Sequence, residues 1–113
     1  MSDMQWKNAV ALDDLRSAGG MVGLTIGEQD FAIYLVEDEV YATANTCTHG
    51  NARLSDGYLI GELIECPMHQ GLFDVRTGAV MGPPCTEAIR TFPVRIEDGI
   101  ISIGFGPIGG EAA

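Results

Sequence analysis

Basic residues are scarce in this chain. Six Lys and Arg stand against sixteen Asp and Glu, for a formal net charge of −10 over 113 residues. Nucleic-acid binding needs a basic footprint to neutralise phosphates, so the balance argues against that class of partner. It suits solubility, or docking to a basic patch on another protein. Long apolar runs are lacking too, and no stretch approaches the length of a membrane-spanning helix. Met1 to Val10 has neither a basic n-region nor an apolar run, so no export signal is legible. Three Cys cannot all pair, and so few fit a reducing compartment; a cytoplasmic protein with no membrane association is the expectation. The acids are themselves missing from one region. None lies between Val40 and Ser55, and from Cys66 to Cys85 there is only Asp74.

That acid-poor region holds the chain's only two His and all three Cys. Cys47-Thr48-His49 and Cys66-Pro67-Met68-His69 present one thiol and one imidazole each. Two soft sulfur donors and two borderline nitrogen donors make a metal site the first hypothesis. Cys85 follows Pro83-Pro84 and reads as a half-buried thiol outside that set.

Hydrophobic content of 46% and charged content of 19% describe a globular chain, and its length a single domain, 1–113. The segments read as short strands separated by turn residues. Trp6 to Val10 is an expected edge strand, and Asp13 to Arg16 a single helical turn. Val22, Leu24 and Ile26 alternate in the next strand, and Gly27 to Gln29 turns the chain. From Asp30 to Glu37 both alternating sets are apolar, which predicts a strand covered on both faces. Asp38-Glu39 then turns it into Val40 to Asn45, followed by a loop over Thr46 to Leu54. Tyr58 to Ile60 and Glu62 to Glu65 form an expected hairpin around Gly61 that delivers Cys66. A second loop, Cys66 to Gly71, precedes a strand over Leu72 to Val75, and Arg76-Thr77-Gly78 is a turn. Gly82-Pro83-Pro84 excludes helix and central strand. Ile89 to Glu97 reads as one strand, and Asp98-Gly99 as a type I′ turn into Ile101, Ile103 and Phe105. Nine short strands at this spacing predict an all-β antiparallel sandwich or barrel, with a small metal-binding subdomain over about 46–85.

Three readings compete for Cys47, His49, Cys66 and His69: coincidence, a structural zinc site, and a two-iron cluster. Zinc sites commonly group Cys with Cys and His with His. Here each pair is mixed, so each loop can reach both metals of a cluster. A Rieske centre has that need, because one iron of its 2Fe–2S cluster takes two Cys and the other two His. A zinc-stabilised binding module stays open as an alternative.

The cluster motifs, together with Tyr41-Ala42-Thr43, Leu54-Ser55-Asp56-Gly57-Tyr58-Leu59, Phe73-Asp74-Val75, Gly82-Pro83-Pro84 and Phe92-Pro93-Val94, carry a resemblance. The chain resembles the Rieske-type ferredoxins of bacterial aromatic-ring-hydroxylating dioxygenase systems, of the naphthalene and biphenyl type. The resemblance implies a Rieske-like fold and one 2Fe–2S cluster held by Cys47, His49, Cys66 and His69. It implies a one-electron carrier, not an enzyme, that links a flavin-containing NAD(P)H-dependent ferredoxin reductase to a terminal ring-hydroxylating oxygenase. A monomer is expected. A second alternative is a small subunit of another reductase, similar to those of nitrite reductases.

Respiratory Rieske proteins, which the motif also resembles, add a Cys to each loop and a Ser and a Tyr that hydrogen-bond the cluster sulfurs. The matching positions here are Ala52, Met68, Gly71 and Phe73. Without those hydroxyls the expected potential is low in the Rieske range, about −150 mV. Gly50, Gly71 and Gly82 are expected to admit backbone N–H groups near the sulfides, and Leu54, Met68, Pro83 and Pro84 to cover the site. Gly50, Asn51, Met68, Gln70 and Pro83 are the expected contact face for partners, with acids at its rim. Arg53 reads as a solvated charge.

Overall fold

The computed structural model describes residues 4–48, 52–68, 71–83 and 87–105. Eleven strands and one short helix occupy them: β1 (Gln5–Ala11), α1 (Leu12–Ser17), β2 (Met21–Ile26), β3 (Gln29–Val36), β4 (Glu39–Ala44), β5 (Tyr58–Ile60), β6 (Leu63–Glu65), β7 (Leu72–Asp74), β8 (Val80–Gly82), β9 (Thr91–Phe92), β10 (Val94–Glu97) and β11 (Ile100–Phe105). A single 3₁₀ turn, Leu54–Asp56, precedes β5. Three antiparallel sheets result, in the orders β1-β11-β10, β2-β3-β4-β9 and β5-β6-β7-β8. This is the all-β class read from the turn spacing, and β1 is the expected edge strand.

β3 organises the packing. Its residues Phe31, Ala32, Ile33 and Tyr34 are all fully buried. Phe31 and Ile33 point into one apolar cluster with Leu15, Ala42, Phe92, Ile101 and Ile103. Ala32 and Tyr34 point into a second, with Cys47, Leu54, Ile64, Cys66, Phe73, Val75 and Ile89. Successive side chains of a strand face opposite sides, so one strand serves two cores. Each fully buried large apolar side chain contributes about 1.5–3 kcal/mol, which makes this shared strand a major stabilising element. In the first core Phe31 meets Phe92 edge to face, with ring centroids 4.8 Å apart.

The turns largely follow local chemistry. Glu97 pairs with Ile100 across Asp98 and Gly99, which sit at φ 55° and 77° as the type I′ signal requires. The β3–β4 turn falls one residue earlier than Asp38-Glu39. Val36 pairs with Glu39, leaving Glu37 and Asp38 at the tip with φ 51° and 70°. A type I′ hairpin needs both tip residues at positive φ, and here two acids accept it because that turn matches the twist of the flanking strands. β4 stops at Ala44 instead of Asn45.

Two readings are corrected. Ile89 to Glu97 is not one strand: β9 pairs with β4, while β10 pairs with β11. Pro93 divides them. It has no N–H to give a ladder, and its carbonyl instead accepts Gly104 N at 2.9 Å. The chain thus passes from one sheet to another at a proline. Second, Val80–Gly82 forms a strand that the sequence does not predict: β8 ends at Gly82, immediately before Pro83, and lies at the sheet edge next to β7.

Candidate metal centre

Cys47 and Cys66 sit on loops from different elements, yet share the second core. The first loop leaves β4 and returns at the 3₁₀ turn; the second is the tip of the β6–β7 hairpin. Their stems match. Thr46 pairs with Arg53 in one, and Glu65 pairs with Leu72 in the other. The Cys N–H closes each loop onto the carbonyl five residues on. Cys47 N donates to Ala52 O at 2.9 Å, and Cys66 N donates to Gly71 O at 2.8 Å.

Both sulfur-bearing side chains are withdrawn from water, with relative exposures of 3% for Cys47 and 2% for Cys66. Leu54, from the 3₁₀ turn, is buried in the same cluster. Met68 is 60% exposed. Pro83 is exposed as well. Of the remaining residues singled out from the sequence, His49, Gly50, Asn51, His69, Gln70, Pro84 and Cys85 lie outside the described residues. Among the expected glycines, Gly71 is buried and its carbonyl closes the second loop. Gly82 has a packing reason: a Cβ there would lie 3.3 Å from Leu72 Cδ1.

The loops are held in place by different means. Beneath the second, Asp74 accepts Arg76 N at 2.9 Å and the Arg76 guanidinium through both carboxylate oxygens. Arg76 also reaches Glu62 at 3.2 Å. The one acid of the 66–85 region is therefore matched by a base, and that guanidinium holds the Asp74 carboxyl below its ordinary range. Asp30 anchors the first loop from β3. Its carboxylate receives Arg53 Nε at 2.8 Å and Nη2 at 3.0 Å. Arg53 is thus an exposed charge that is also ion-paired in the stem, and it lowers the Asp30 pKa. Asn45, Asp30 and Ser55 were not singled out from the sequence. The one available signal was an Asn at the point where strand alternation ends.

A third segment joins the pair. Thr48, between the two candidate ligands of the first loop, donates its hydroxyl to Glu87 O at 2.8 Å. The proline-bearing segment after β8 is in this way tied to the first loop.

These residues fit an iron–sulfur cluster. Two Cys from separate, similarly closed loops belong to one buried cluster of residues, thiolate donors suit iron, and a His lies inside each loop's sequence.

The comparisons agree. The Rieske [2Fe-2S] domain pattern matches residues 5–93. The ferredoxin component of the naphthalene 1,2-dioxygenase system of Pseudomonas putida is 53% identical over 95 residues, covering 84% of this chain and 90% of that one. The solved complex of reduced oxygenase and oxidized ferredoxin in carbazole 1,9a-dioxygenase contains a chain 39% identical, with TM-score 0.81, covering 87% of this chain and 91% of that one. A putative NADH-dependent nitrite reductase small subunit from Mycobacterium tuberculosis superposes with TM-score 0.79 over 93% of this chain and 98% of that one. At 21% identity that likeness shows the fold alone. With most of its length matched and a ferredoxin component identical at more than half of the aligned positions, the chain belongs to the Rieske [2Fe-2S] domain family.

Proposed function

We propose that Cys47, His49, Cys66 and His69 hold the family's [2Fe–2S] cluster, one thiolate and one imidazole coming from each loop. The matched closure of the two loops, Cys47 N to Ala52 O and Cys66 N to Gly71 O, is the observation that carries this reading. When bound, the cluster supplies reversible one-electron chemistry. The chain's own residues hold it and bury the sulfur side. Asp74, paired with Arg76, adds no unmatched charge beneath the second loop. Residues 1–113 form one domain in this reading, with the cluster-binding subdomain over about 46–85. The small β5–β8 sheet supports that division.

The chain then serves as the electron carrier of an aromatic-ring-hydroxylating dioxygenase system. It takes electrons from a flavin-containing NAD(P)H-dependent ferredoxin reductase and delivers them to the terminal oxygenase, as a cytoplasmic monomer. Support for the oxygenase comes from relatives named as ferredoxin components of naphthalene and biphenyl dioxygenases, and from the carbazole system's oxygenase–ferredoxin complex. No described helix is long and apolar enough to cross a membrane. The exposed Met68 and Pro83 suit the neutral contact face, with Asp56 at its rim steering the encounter.

Anaerobic reconstitution with iron and sulfide, followed by reduction, tests the ligand set. A red-brown protein with a rhombic EPR signal that disappears in Cys47→Ala, His49→Ala, Cys66→Ala and His69→Ala is expected. A colourless, EPR-silent zinc protein would overturn it. Turnover of a purified oxygenase that depends on this chain tests the partnership, and an unchanged salt dependence in Asp56→Lys would remove the steering role.

A further inference from the structure

The second candidate loop is fixed by its own strands: Glu65 and Leu72 continue the β6–β7 ladder directly into its stem. The first loop has no such ladder. β4 ends at Ala44, the returning chain enters a 3₁₀ turn at Leu54, and between them stands the isolated Thr46–Arg53 bridge. A six-residue loop held by that bridge and the Cys47 N to Ala52 O bond alone would be poorly constrained, because loops with few local hydrogen bonds open at low cost.

Asn45 fills that gap. It is fully buried, and all its polar groups are engaged. Its N–H donates to Asp30 O at 2.9 Å, and its carbonyl accepts Leu54 N at 2.7 Å. Its side-chain Oδ1 accepts Ser55 N at 2.7 Å. Nδ2 donates to Ser55 Oγ at 2.8 Å and to Asp30 Oδ1 at 3.3 Å. Asp30 meanwhile grips Arg53 on the returning stem. Both stems of the loop are thus attached to one residue of the central strand. Only an amide of this length offers an acceptor and two donors at one site, so Asp, Ser or Ala cannot replace it. A space is kept for it: a Cβ on Gly23 of β2 would lie 2.8 Å from Asn45 Nδ2 and fall on Ser55 Oγ.

We infer that Asn45 is the positioning residue of the first ligand loop, supplying through its side chain the constraint that the β6–β7 ladder supplies to the second. The inference rests on the ligand set proposed above. Groups that orient metal ligands from behind affect metal retention strongly. Asn45, two residues before Cys47, acts in that way from the stem of the loop.

Hydrogen–deuterium exchange and iron release to a strong chelator, measured on reconstituted holoprotein, test this. In Asn45→Ala, exchange over residues 45–55 rises and iron leaves about tenfold faster. Residues 64–75 keep their protection, and the EPR lines of the reduced protein broaden. Ser55→Ala removes a single acceptor, and it gives the same local pattern with a smaller rate increase, about threefold. Should Asn45→Ala fail to fold, Ser55→Ala decides alone. Exchange that rises equally over both loops and β1–β11, or iron release at the wild-type rate, overturns the inference and leaves the ligand set standing. A wild-type protein that binds no cluster overturns both.

Discussion

The hydroxyl of Thr48 donates a 2.8 Å hydrogen bond to the carbonyl of Glu87, thirty-nine residues away in sequence. It is a side-chain tie between the first candidate loop and the segment that follows β8. Ala52 and Met68 stand where two further Cys would be needed for a disulfide between the two loops, so the loops around the site are joined without that bridge.

Removing that tie should be measurable without altering shape. Thr48→Val keeps the branched side chain and deletes the hydroxyl. One exposed hydrogen bond is worth about 0.5–1.5 kcal/mol, so a fall of a few degrees in Tm is expected. Calorimetry on the holoprotein checks it; an unchanged Tm would mean that the segment is held by other contacts.

Gly57 is constrained by close approach. It lies directly under the second loop, where a Cβ would fall on the Glu65 carbonyl oxygen and within 3.1 Å of Pro67 Cδ. Gly57→Ala must push the β6 stem away, and strain of this kind costs about 1–3 kcal/mol. Urea unfolding should show that loss at an unchanged m-value. A midpoint equal to wild type would show that the stem yields freely.

Acid should weaken the fold in a defined window. Arg53 holds the Asp30 carboxyl below its ordinary value of 3.8, and Arg76 does the same for Asp74. A carboxyl with a lowered folded pKa binds protons less readily folded than unfolded. Its stabilisation is therefore present above the unfolded value and is lost as pH falls through the folded one. Stability is expected to be level above about pH 5 and to decline below about pH 4. Asp30→Asn should flatten part of that decline. Because Arg53 is 45% exposed, solvent screening keeps the pair's share modest. Denaturant midpoints across this range, compared with the variant, check both points; a decline equally steep in Asp30→Asn would assign it elsewhere.

Phe73 bears on the potential. Its ring is fully buried in the cluster of residues that holds Cys47 and Cys66, and it has no hydroxyl to offer sulfur. The reconstituted protein is expected to titrate near about −150 mV. Phe73→Tyr, by adding a donor, should raise that value. A clearly positive wild-type potential, or a variant shifted downward, contradicts this account.

What the sequence determined by itself was local: the candidate ligand types, their mixed pairing, the Asp98-Gly99 turn, and a strand apolar on both faces. Each of these depends on residues within a few positions of one another, where alternation and turn chemistry act directly. The tertiary structure decided what depends on distant partners. Ile89 to Glu97 alternates like one strand, yet β9 and β10 pair with β4 and β11 in different sheets, and alternation says nothing about the partner across a ladder. Asn45 read as the end of a strand and Arg53 as a solvated charge, until folding brought Asp30 beside them from fifteen and twenty-three positions away. A hydrogen-bond partner that far along the chain leaves no local pattern, so the means by which the first loop is held emerges only when β3 is in place.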